Sequence, residues 1–86
     1  MNYILAVFNS RFSTLRFSKM LREYGVPVSI INTPHDVGRA CGISVKFLSD
    51  FYDYAKKLIS KQDFSANFVG FYAYINHGGK WKLTKI

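Results

Sequence analysis

The 86-residue chain has one cysteine, two histidines, two prolines and only five acidic residues. One Cys cannot close an internal disulfide, and one Cys with His35 and His77 is thin for a zinc site made of protein ligands alone. The sequence therefore calls for neither a metal nor a cofactor. No apolar run approaches the ~20 residues of a spanning helix, and Met1-Asn2-Tyr3 lacks the basic start of a secretory signal. A lone thiol without such segments points to a reducing cytoplasm and away from a membrane. Phosphate-cradling glycine spacing and serine-nucleophile signatures are missing as well. Asp36, Asp50 and Asp53 read as helix-start carboxylates, not as a catalytic pair.

Apolar residues are plentiful. They make up 49 % of the chain and aromatics 17 %, enough to build a core without staples, so one domain over residues 1–86 is expected. Twelve Lys and Arg give a net charge of +7, which attracts anionic partners. These cations are scattered along the chain, without the dense run that marks a nucleic-acid-binding arm. Nucleic acid is accordingly the less favoured partner.

Tyr3 to Phe8 is a continuous apolar run that predicts a buried central strand. Phe17, Met20, Leu21 and Tyr24 recur at helical spacing, so a helix is expected from Thr14 to Tyr24, capped by Ser10 or Ser13 and stopped at Gly25. Val26 to Asn32 and Ile43 to Phe47 read as strands. Ser49 is placed to cap a second helix with Phe51, Tyr54, Ala55, Leu58 and Ile59 on its buried stripe, ended by the polar stretch Lys61 to Asn67. Phe68 to Ile75 reads as a further strand, with Phe68, Gly70, Tyr72 and Tyr74 on one face and Val69, Phe71, Ala73 and Ile75 on the other. Asn76-His77-Gly78-Gly79 signals a hairpin returning along Lys80 to Ile86. The order predicts an α+β fold of the ferredoxin-like βαββαβ kind, with two helices on one face of a four-stranded antiparallel sheet. The core would be residues 2–75, and residues 76–86 a hairpin extension with an extra edge strand. A face left bare by the helices, carrying Phe68, Tyr72 and Tyr74, would suit a homodimer.

Thr33 to Gly42 is long for a connection between paired strands. Thr33 can cap and Pro34 can open a single helical turn reaching about Arg39, which would deliver Cys41 to the start of the next strand. Arg39 and His35 could supply positive charge that favours a thiolate, while the carbonyl end of that turn would oppose them. Gly42 permits a tight turn or a close approach to the sulfur. A small buried Cys is the plainer reading of the same residue.

The chain resembles the selenium/sulfur carrier protein-like family of small bacterial domains over about residues 2–75. The resemblance is most specific at Thr33-Pro34 and at Ala40-Cys41-Gly42. The family has a Thr-Pro-Arg-like start and a Ser-Cys-Gly-like end to this loop; His35 replaces the Arg here, and Gly38-Arg39-Ala40 replaces the serine-rich approach. The resemblance implies a ferredoxin-like fold and a non-catalytic carrier that loads sulfur or selenium on Cys41. Thr33, Pro34, His35, Arg39 and Gly42 would form its surroundings, with donor and acceptor proteins as partners. The alternative is a small basic module that binds RNA or a protein and keeps Cys41 as a structural residue. Tyr72 and Tyr74 faintly resemble the base-stacking aromatics of RNA-recognition motifs, although they fall on the fourth strand, not the third.

Overall fold

A computed structural model describes residues 2–38, 40–61, 64 and 66–86. Strand β1 (Tyr3–Phe8) leads into helix α1 (Arg11–Glu23), then β2 (Val28–Asn32) and β3 (Ile43–Leu48). A single 3₁₀ turn (Ser49–Phe51) precedes α2 (Tyr52–Lys61), and β4 (Phe68–His77) and β5 (Lys80–Lys85) complete the fold. The five strands form one sheet in the order β2-β3-β1-β4-β5, with every neighbouring pair antiparallel. The four-stranded sheet expected from the sequence is therefore extended by a fifth strand. Gly78 (φ 58°) and Gly79 (φ 88°) allow a two-residue turn whose twist matches the strands it joins. The Gly79 N–H donates to Asn76 Oδ1 at 2.9 Å and closes that turn.

The uninterrupted apolar sequence of β1 suits its position, because it is covered on both faces and paired along both edges. Ile4, Ala6 and Phe8 share one core with Phe17 and Leu21 of α1, Ala55 and Leu58 of α2, and Val45, Phe47 and Phe71 of the sheet. Leu5 and Val7 point the opposite way and pack with Val37 of the loop between β2 and β3. Both helices thus contribute to the core on one side of the sheet.

Helix α1 begins three residues before the expected start. Ser10 is extended (φ −132°, ψ 127°) and its hydroxyl accepts from the Ser13 N–H at 3.3 Å, while Thr14 Oγ1 donates to the Ser10 carbonyl at 2.9 Å. Ser10→Ala should therefore lower stability by about 1 kcal/mol, read as a fall in the urea midpoint at unchanged slope. Ser49 is not the cap of α2. Its N–H donates to the Asn2 carbonyl at 3.1 Å, which ties it to the start of β1, and the α-helical turns begin only at Tyr52.

Two aromatics also depart from the sequence reading. Phe64, within the stretch read as polar, is 1 % exposed and lies 5.6 Å from Phe8 and 5.5 Å from Phe17 between ring centroids. Phe68 faces the helices and not the opposite side, because Val7 pairs with Gly70 while Phe8 pairs with Phe68, leaving Val69 as an extra residue. This bulge reverses the alternation of β4 before Gly70 and turns Val69 to the face of Leu5 and Val7.

Candidate functional site around Cys41

The loop occupies residues 33–42, as its sequence indicates. Its base is closed by the Thr33 N–H donating to the Gly42 carbonyl at 3.0 Å. The Thr33 hydroxyl is not a helix cap. It donates to the Cys41 carbonyl at 2.7 Å and meets Ser44 Oγ at 2.6 Å, with Ser44 fully buried. On its other side, the Cys41 N–H donates to the Phe8 carbonyl at 2.8 Å. The Cys41 backbone is thus held by both its N–H and its C=O, one to the end of the central strand and one to the far side of its own loop. The residue itself is half-buried.

The expected helical turn from Pro34 does not form. The Val37 N–H donates to the Pro34 carbonyl at 3.1 Å, closing a single β-turn. The chain then bends across the sheet, and Val37 is only 4 % exposed against Leu5 and Val7. The sheet face away from the helices would otherwise leave those two side chains in water, and their burial outweighs one local helical turn. The carbonyl end of a helix, anticipated as opposing a thiolate, is consequently not in front of Cys41. Arg39 lies outside the described residues. His35 and Gly42 are exposed and Pro34 is half-buried.

The face expected to lie open is covered in part at both ends. The loop covers Leu5 and Val7, and Trp81 of β5 stacks on Tyr74 with ring centroids 4.6 Å apart and planes at 18°. Tyr72 and Tyr74 are half-buried. Lys46 Nζ lies over the Tyr3 ring at 4.6 Å on the same side of the sheet.

The structure brings Thr33, Cys41 and Gly42 together at the base of the loop, with Thr33 bonded across it and not capping a turn, and adds Phe8 and Ser44, which the sequence reading missed. A short polar residue on a buried strand is the only local sign of Ser44. Nothing in the sequence of β1 indicates that its last carbonyl is the one held by Cys41. His77 ends β4 at an exposed position. Among the described residues no three His, Cys, Asp or Glu side chains come together as metal ligands would. Nor, among them, is any helix long and apolar enough to cross a membrane.

No curated protein and no solved structure is a significant match to the chain. A family does match, described as "Putative Se/S carrier protein-like", over residues 3–70. That span runs from β1 through the Cys41 loop and α2 into β4. Most of the fold and the whole of the site lie within it, and the chain belongs to this family.

Proposed function

We propose that Cys41 accepts a sulfur or selenium atom from a donor protein and hands it to an acceptor. The observation that carries this reading is a half-buried cysteine on a backbone fixed from both sides. Two partners in succession must reach the same atom in the same place, and a pinned backbone keeps it there. The family description supports a carrier in general; the relay on Cys41 is the finer statement proposed here.

The chemistry balances without an oxidant. The Cys41 thiolate attacks the outer sulfur of a donor persulfide, the donor's S–S bond breaks, and the donor leaves as a thiolate. Cys41 then carries the persulfide until an acceptor thiolate attacks the outer sulfur and Cys41 departs as a thiolate. Selenium would travel by the same exchange, as Cys41–S–SeH. In this scheme Thr33 positions Cys41 and Pro34 stiffens the β-turn. His35 and Arg39 supply donors and charge for the anionic persulfide. A Cβ built on Gly42 would meet nothing within 4 Å, so its bare backbone leaves room for a partner next to the sulfur. The supporting frame is a ferredoxin-like core of β1 to β4 with β5 appended, acting as one domain over residues 1–86 in the cytoplasm.

Intact mass after incubation with a persulfide donor tests the proposal. Wild type should gain one sulfur atom and lose it again to a reducing thiol, whereas Cys41→Ser should gain nothing while unfolding at nearly the same denaturant concentration. The folded wild type should also react with iodoacetamide. A thiol that is alkylated only after denaturation would overturn the relay and favour the basic binding module with a structural cysteine.

A further inference from the structure

We propose that the solvent-facing side of α1 around Phe12 and Leu15 docks an acidic amphipathic segment of a partner protein. The inference rests on the carrier reading only for the partner's purpose; the surface itself is argued from geometry and charge. Helix α1 buries Ser13, Thr14, Phe17, Ser18 and Leu21 on the sheet and leaves Phe12 76 % and Leu15 45 % exposed. These two line a shallow depression with Arg16 and Lys19. An aromatic and a leucine side by side in water, one turn apart on a rigid helix, have no role in this chain's own core.

The charge around them is of one sign. Arg11, Arg16, Lys19 and Arg22 are the cations of α1, against the single carboxylate of Glu23. Among the described residues none of the four cations forms an ion pair, and Arg16 lies over the Phe64 ring at 4.7 Å. The first turn of α1 holds no acidic residue, so Arg11 faces the positive end of the helix dipole, a mildly destabilising placement. A partner with carboxylates around apolar side chains complements this pattern. Isologous pairing of a second copy would set four cations against four and is disfavoured. Phe12 offers a single ring and Leu15 none, short of the successive aromatics on which bases stack, whereas an amphipathic helix lays apolar anchors into such a depression.

The position suits a relay. Phe8, whose carbonyl holds the Cys41 N–H at 2.8 Å, is only four residues before Phe12. Four residues of chain cannot span more than about 14 Å, so the start of α1 and the Cys41 loop lie at the same end of β1, the helix on one face of the sheet and the loop on the other.

The test uses the full chain and a fluorescein-labelled amphipathic peptide with leucine on one face and glutamate on the other. Its controls are the same peptide with serine for leucine, single-stranded oligouridine and phosphatidylserine vesicles. Anisotropy should show the leucine peptide binding best, and the double variant Phe12→Ser, Leu15→Ser should weaken it at least ~10-fold. Amide shifts should cluster in residues 11–22. Both substituted side chains are exposed, so an unchanged thermal midpoint will show that the variant is folded. Equal binding of both peptides, an unaffected double variant, or preference for RNA or vesicles would each overturn the proposal. Cys41→Ser should bind the peptide like wild type, so failure of sulfur loading and failure of docking are read separately.

Discussion

Phe8→Ala is expected to destabilise the chain by about 3–5 kcal/mol, against total stabilities of ~5–15 kcal/mol for domains in general. The ring of Phe8 is fully buried and meets Phe17 at 5.3 Å, Phe64 at 5.6 Å and Phe68 at 5.3 Å, all tilted. Those contacts join α1, the segment after α2, and β4 at one point of the central strand. Truncation would leave a void that four elements border and none can fill alone, and it would also remove the aromatic pair terms of ~0.5–1.5 kcal/mol each. Urea denaturation should show the midpoint falling at constant slope, with Phe8→Leu recovering part of the loss. A fall below ~1.5 kcal/mol would mean the ring cluster is loosely packed, contrary to its geometry.

Thr33→Val should cost about 1–3 kcal/mol through hydrogen bonds alone, because valine keeps the shape of threonine. The Cys41 carbonyl loses its 2.7 Å donor and the fully buried Ser44 hydroxyl loses its 2.6 Å partner. Thr33 is itself half-buried, so water can satisfy the Cys41 carbonyl in part and the lower half of that range is the expectation. Combining Thr33→Val with Ser44→Ala removes the stranded hydroxyl, and the double variant should lose less than the sum of the two single changes. With one of its two ties gone, Cys41 should also be alkylated several-fold faster in the folded state. Additive costs and an unchanged alkylation rate would show that the Thr33–Ser44 pair does not hold the loop.

Features set by neighbours in the chain were legible beforehand. The run of β1, Gly25 after α1, the limits of the 33–42 loop and the turn at Gly78-Gly79 each follow from side-chain period or from positive φ. What escaped was set by residues distant in sequence. Phe64 lies among polar neighbours, and only the space between Phe8 and Phe17 explains its burial. The extra residue at Val69 shifts the phase of β4, a change that alternation alone cannot reveal. Local chemistry allowed a helical turn after Pro34, but the bare side of Leu5 and Val7 drew Val37 onto the sheet instead. A solitary valine in a polar loop was the one available sign. Around Cys41, the Thr33–Ser44 contact crosses eleven residues and the Phe8 contact crosses a helix and a strand, so neither has a local signature.

The central place of β1 also bears on how the protein is made. Strand β1 is synthesised before either of its partners, β3 on one side and β4 on the other, and the last of these ends at His77. At ~5–20 residues per second, the segment Tyr-Ile-Leu-Ala-Val-Phe therefore waits for several seconds before both its edges can be covered. It is uncharged, strand-forming and six residues long, the profile of a segment that pairs with its own copies. Nascent chains that carry β1 but stop short of β4 should thus be the species that chaperones hold, and the yield of native protein should depend on how quickly translation reaches Phe68.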